Sequence, residues 1–252
     1  MVKPGDTLQE KMQLIKDLGF DAIELDSPNK FKPEEVLAAR DATKLPIIGT
    51  VDSVHWKQTL SDPDPAVQAA GVKGLETAIR DAKAYGGTSA LLVPAVVTPK
   101  VSYQQAWDRS TANIRKALPL AEELGIHIAI ENVWNRFLTS PLEMNRYIDQ
   151  FNSKFVAVHF DIGNYVEWAY PQDWIRTLGK RIVKTDVKEY AKPKRFGYKL
   201  GEGEIDWAEV RKALAEIGYA GYCTAEIESG DEAFLKDTAA RMDKILGITA
   251  AG

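Results

Sequence analysis

Only one cysteine, Cys223, stands in 252 residues, so no disulfide can form within the chain. Histidine is nearly as scarce, at three residues, too few for a multi-metal centre rich in imidazoles. No apolar run reaches the roughly 20 residues that a membrane-spanning helix needs. The start, "MVKPGDTLQEK", lacks the apolar core of a secretory leader. Positive charge is not in excess either. The chain has 32 Lys and Arg against 36 Asp and Glu, a net charge of -4. The basic stripe of a nucleic-acid binder is therefore missing. These absences lead to the expectation of a cytoplasmic protein. A periplasmic or exported one would require that an upstream signal had been removed.

What is present is ordinary for a globular chain: 45% hydrophobic and 27% charged residues, enough for a sizeable core. Two periodicities alternate along it. Short β-branched runs at about 20–25, 46–52, 90–95, 127–132, 156–162, 182–188 and 221–227 read as buried strands. Between them, amphipathic stretches read as helices at about 7–18, 33–43, 64–85, 102–124, 141–151, 171–178, 206–217 and 231–246. Pro at first turns ("SPLEM", "YPQDW") and Gly past the ends ("LGF", "LGI", "IGY") agree with these limits. Strict alternation implies a parallel sheet under helices, and about 250 residues fit a (β/α)8 TIM barrel in one domain spanning 1–252. The first strand is short or truncated, because only "MVK" precedes the first helix. An open doubly wound sheet is the alternative.

In a barrel of this kind the chemistry lies at the C-terminal strand ends. Four successive strands end in acids: Glu131 ("IAIEN"), Asp161 ("HFDIGN"), Asp186 ("KTDVK") and Glu226 ("TAEIE"). Glu24 closes an earlier strand ("IELD"). Side chains alternate along a strand, so His159 shares a face with Asp161, Lys184 and Lys188 with Asp186, and Thr224 with Glu226. The opposite set (Ile128, Ile130, Phe160, Val187) is apolar and suits packing under helices. Four converging acids repel and desolvate one another. One divalent cation removes that penalty, and oxygen ligands suit Mn²⁺ or Mg²⁺ first, with Co²⁺ or Zn²⁺ as alternatives. A lone strand-end acid is more often structural, and that weighs on Glu24.

Around this rim, His55 and Trp56 lie in the long loop "DSVHWKQTLSDPDP" and are candidate substrate contacts, as is Asn164, three residues past Asp161. Lys184 and Lys188 are candidate oxygen or phosphate anchors, with charge balance for the acids as the competing role. His159 and His127 read as structural. Trp134, Tyr165 and Trp168 can line a pocket or belong to the core. "LGEGEID" is a weak phosphate-loop signal, having no Walker or GxGxxG pattern.

Together "ELGIHIAIEN", "HFDIGN", "KRIVKTDVKEY", "LGEGEIDWAEV" and "IGYAGYCTAEIE" resemble the xylose isomerase-like TIM barrel superfamily. Within it they resemble the sugar phosphate isomerase/epimerase group, which includes ketose 3-epimerases and inosose dehydratases. The resemblance runs from "LGFDAIEL" to "RMDKILG". It implies one divalent metal held by Glu131, Asp161, Asp186 and Glu226, although the family's usual residue at the third place is His. It also implies that Glu131 and Glu226 act as acid and base on a carbon next to a carbonyl, through an enediolate. The expected activity is isomerisation or epimerisation of a small-molecule sugar or sugar phosphate. A lyase or dehydratase acting on a keto-sugar, 3-keto-glycoside or keto-inositol is the alternative. A non-catalytic sugar-binding paralogue is a further one, motivated by Asp186. A Schiff-base aldolase using Lys184 or Lys188 fits the acids poorly, and the endonuclease branch of the superfamily needs more histidines. No nucleic-acid or membrane partner is expected, and homo-oligomer formation stays open.

Overall fold

Helix ends follow the local sequence. In the computed structural model, which describes residues 2–248, Thr7 and Ser102 close capping boxes with Glu10 and Gln105 at the starts of α1 (Leu8–Asp17) and α4 (Tyr103–Leu124). Pro opens α2 (Pro33–Thr43), α3 (Pro65–Tyr85), α5 (Pro141–Asp149) and α6 (Pro171–Leu178). Gly86, Gly125 and Gly247 end α3, α4 and α8 (Glu232–Leu246) in the left-handed conformation that glycine adopts without strain. The remaining helix is α7 (Trp207–Glu216).

The strands are β1 (Ile23–Ser27), β2 (Ile47–Asp52), β3 (Ser89–Leu92), β4 (His127–Glu131), β5 (Val156–Asp161), β6 (Ile182–Val187) and β7 (Cys223–Ala225). All pair in parallel and in chain order, β1 to β7. This is the β/α barrel architecture, with seven strands and eight helices among the described residues. The expected short first strand is reduced to Val2, which forms an isolated parallel bridge with Gly230, supported by Lys3 N donating to Gly230 O at 3.3 Å.

Strand faces divide as the alternation demands. Ile128, Ile130, Phe160 and Val187 enter the main apolar cluster with the buried faces of α3 to α8. A second cluster joins Met12 and Ile15 of α1 to Val36 of α2 and Ile47 of β2. The other strand face turns inward, and there Glu131, His159, Asp161, Lys184 and Asp186 are buried polar residues. Two boundaries that bear on the acids differ from the sequence reading. β1 begins at Ile23 rather than ending near it, so Glu24 is its second residue and lies low in the sheet. β7 stops at Ala225, so Glu226 stands one residue beyond it, tied back by its N–H to Val187 O at 3.0 Å.

Candidate active site

Register brings Asp161 and Asp186 level, with Glu131 on the strand to one side and Glu226 just past the strand on the other. Glu131 ends β4 and pairs with His159 of β5. Asp161 ends β5 and pairs with Asp186 of β6. Asp186 pairs in turn with Thr224, two residues before Glu226. One carboxylate oxygen from each of Glu131, Asp161, Asp186 and Glu226 lies within 4.8 Å of the others. Lys188 leans into the group, its Nζ 2.7 Å from Glu226 Oε2 and 3.0 Å from Asp161 Oδ2. Three of the acids are buried, and the Glu226 side chain, 46% exposed, opens the cluster to solvent.

Short turns hold the acids in place. Asp161 Oδ1 accepts from the N–H groups of Gly163 (2.8 Å) and Asn164 (2.7 Å). Asn132 clips β4 to β5 by accepting from Asp161 N at 2.7 Å and donating to Asp161 O at 2.9 Å. Asn164 donates to Asn132 O (2.8 Å) and Glu131 Oε1 (3.3 Å), and its Oδ1 accepts from Lys188 (3.2 Å). Asp161 Oδ2 is fully buried and has no aligned donor, although Lys188 is near.

Charge is far from balanced. Desolvation, then the neighbouring Asp186, Asp161 and Glu226, push the Glu131 carboxyl well above the usual carboxylate range. Asp161 and Asp186 are raised as well, chiefly by desolvation. Desolvation also acts on Glu226, but the Asp161 carboxyl and the Lys188 ammonium beside it hold it below its ordinary value. Lys188 is raised: desolvation opposes its charge and the surrounding acids outweigh it. At 4.8 Å two like charges repel by about 3.5 kcal/mol at an effective dielectric of about 20. One ammonium does not offset four carboxylates. A cluster of oxygen donors with an orphaned inner oxygen fits a hard divalent cation.

The other residues singled out from the sequence fall in three places. Asn164 and Lys188 join the acids. His55, on the loop after β2, is buried, with Nδ1 accepting from Val93 N at 3.3 Å and its ring edge-on to the exposed Trp56 at 5.4 Å. Burial pushes the His55 imidazole down to about 4, so it is neutral at neutral pH. Glu24 and Lys184 meet each other inside the barrel instead of lining the mouth. Lys184 Nζ donates to Glu24 Oε1 (2.5 Å) and Ile48 O (2.6 Å), and Thr224 donates to Glu24 Oε2 (3.2 Å). This pair requires glycine at 49, where a Cβ would stand 2.2 Å from Lys184 Nζ.

Sequence reasoning missed Asn132 and the part of Phe196 in the aromatic wall beside the acids. The Phe196 ring lies 5.1 Å from Lys188 Nζ and 5.1 Å from the Trp134 ring, which stands 5.0 Å from Trp168. Trp134 Nε1 donates to Asn164 O, linking this wall to the turn after Asp161. The sequence names Trp134 and Trp168 but gives no local sign that Phe196, on the loop after β6, meets them. "LGEGEID" folds around a protein carboxylate: Glu189 Oε2 accepts from Gly201 N (2.7 Å) and Trp207 Nε1 (3.0 Å). The groups that a phosphate would use are thus partly occupied.

The model of the family described as xylose isomerase-like TIM barrel matches residues 12–245. L-ribulose-5-phosphate 3-epimerase UlaE of Escherichia coli is 28% identical over 234 residues, covering 86% of this chain and 81% of that protein. Among solved structures, a D-tagatose 3-epimerase-like protein superposes with a TM-score of 0.84 at 21% identity, covering 96% of this chain and 94% of that one. The IOLI protein, solved with a zinc atom bound, gives a TM-score of 0.78 at 16% identity over 98% and 95% of the two chains.

Proposed function

Since the chain belongs to the xylose isomerase-like TIM barrel family, we propose that it is a divalent-metal-dependent epimerase or isomerase of a sugar or sugar phosphate, working as one barrel domain. The observation that carries this reading is the convergence of Glu131, Asp161, Asp186 and Glu226 within 4.8 Å at the strand ends. The similarity to L-ribulose-5-phosphate 3-epimerase supports the reaction class. The zinc atom in the IOLI protein supports the metal.

Glu131, Asp161, Asp186 and Glu226 would hold the cation. When bound, such a cation polarises a substrate carbonyl and makes the neighbouring C–H more acidic. The chain's own residues do the rest. Glu131 comes from β4 and Glu226 from the end of β7, with the acids of β5 and β6 between them. The two glutamates therefore approach a bound sugar from separate sides. One removes the proton next to the carbonyl, leaving an enediolate, and the other returns a proton to the opposite face. Lys188, beside Asp161 and Glu226, is placed to steady the oxygen that gains charge. Asn164 fixes Glu131 and Lys188 in one network. Phe196, Trp134 and Trp168 offer apolar faces for the sugar carbons.

The test is elemental mass spectrometry of wild type, Asp186→Ala and Glu226→Ala, followed by incubation of ketoses and ketose phosphates in D₂O. The expected result is about one divalent ion per chain by the single-site argument, lost in both variants. Deuterium should enter next to the carbonyl in a product of otherwise unchanged mass. Glu131→Gln and Glu226→Gln should each slow exchange by about 10²–10⁴-fold. A product lighter by water would identify a dehydratase on the same site. Absence of metal after incubation with Mn²⁺ or Mg²⁺, together with absence of exchange, refutes the proposal.

A further inference from the structure

His159 is fully buried on β5, two residues before Asp161. Its Nε2 lies 2.9 Å from Asp186 Oδ1, yet neither ring nitrogen has an aligned hydrogen-bond partner. Leaving a buried polar group unpaired costs about 1–3 kcal/mol, and native interiors contain few such groups. The other nearby acid is already engaged by two donors. Glu24 comes within 4.8 Å of the same two side chains. Lys184 and Thr224, however, already take its two oxygens. Asp186 is in the same position: among the described residues no hydrogen bond reaches its carboxylate, and His159 is the group in contact with it. Each is therefore the other's available partner, one ring N–H facing one carboxylate oxygen. An aspartate carboxylate turns freely about its last bond, with a broad, roughly two-fold preference. A fixed donor on one oxygen removes that freedom and aims the other.

On the metal-dependent reading above, we propose that His159 is a positioning residue for the cation. Its Nε2–H engages Asp186 Oδ1 and so presents Asp186 Oδ2 to the point shared with Glu131, Asp161 and Glu226. In this chain an imidazole from β5 and a carboxylate from β6 act as one unit at the third ligand position. His159 acts through Asp186 and touches neither the ion nor the substrate. Misaligned contacts of this kind tighten when a site fills.

The measurement is Mn²⁺ affinity by calorimetric titration, with the visible absorption of the Co²⁺-loaded protein as a readout of ligand geometry. His159→Met matches the volume without a donor, and His159→Gln returns an amide N–H near the place of Nε2. Outer partners of metal ligands typically change affinity by about 10–100-fold. That weakening is expected for His159→Met, with a changed Co²⁺ band, while thermal stability in EDTA stays close to that of wild type. His159→Gln should recover most of the affinity. If His159→Met does not fold, His159→Asn, whose amide is too short to meet Oδ1, carries the same expectation. Affinity within twofold of wild type and an unchanged Co²⁺ band overturn the inference and leave the metal site standing. A wild-type chain that binds neither ion overturns both.

Discussion

Replacing Lys188 by Met gives a sharp test of the electrostatics, because the structure fixes both sides of the comparison. Without a metal, Lys188 is the ammonium nearest the four acids, with its side chain only 13% exposed. Its contacts at 3.0 Å with Asp161 and 2.7 Å with Glu226 are each worth about 5.5–6 kcal/mol of gross attraction at an effective dielectric of about 20. Most of that is offset by desolvating the ammonium, and the half-exposed Glu226 is screened by water. Removing one partner of a buried pair costs about 3–5 kcal/mol in measured cases, so about 3 kcal/mol is a fair expectation here. For a chain of this size that lowers the melting temperature by roughly 6–12 °C. With a divalent cation among the same carboxylates, the missing positive charge is supplied twice over. The loss should then shrink to about a third, near 1 kcal/mol or 2–4 °C. The assay is thermal unfolding of wild type and Lys188→Met, each in EDTA and in saturating Mn²⁺. Equal losses in both conditions would refute the reasoning, since Lys188 would then stabilise by packing its stem rather than by charge.

Other expectations follow from three further side chains. Asp52 is buried against α3 with Oδ2 unpartnered, and desolvation raises its carboxyl to about 7. Its contribution to stability is therefore complete below the unfolded value near 3.8 and disappears as pH rises through about 7. Asp52→Asn should stabilise the chain at pH 8 by up to about 4 kcal/mol and have little effect at pH 4, as read from urea unfolding at the two pH values. A constant difference between those values would show that Asp52 does not titrate there. Asp161→Asn keeps the shape of the site and removes one of the mutually repelling charges. It should raise the melting temperature in EDTA while weakening Mn²⁺ binding at least tenfold, and a lower melting temperature with unchanged Mn²⁺ affinity would place Asp161 as a purely structural cap. Trp168→Ala, at an exposed ring of the aromatic wall, should raise KM for the sugar several-fold with kcat nearly unchanged, and an effect on kcat alone would remove the wall from substrate binding.

Much of this site is legible in the sequence, because strand alternation is a local property. The two-residue period of "HFD", "KTD" and "TAE" places each acid on the inward face before any tertiary contact is known. What sequence does not carry is height along the barrel. Glu24 looks like a strand-end acid after "FDAI", but the ladder with β2 starts at Ile23, and Glu24 sits low beside Gly49. Its cation, Lys184, is 160 residues away, and no local pattern announces that pairing. The same limit applies to His159. Between β5 and β6 the register slips: Val158 pairs with Ile182, whereas His159 pairs with Lys184, so β6 advances two residues while β5 advances one. Without that slip, His159 would stand level with Val183 and Asp161 with Thr185, neither of which carries a carboxylate. With it, the inward residues of both strands come level, Asp161 meets Asp186, and the His159 imidazole comes within 2.9 Å of the same carboxylate. One extra residue in a ladder thus decides whether the acid at 186 joins the cluster. A bulge of this kind is set by packing on both faces of the sheet, which the order of residues along one strand does not reveal.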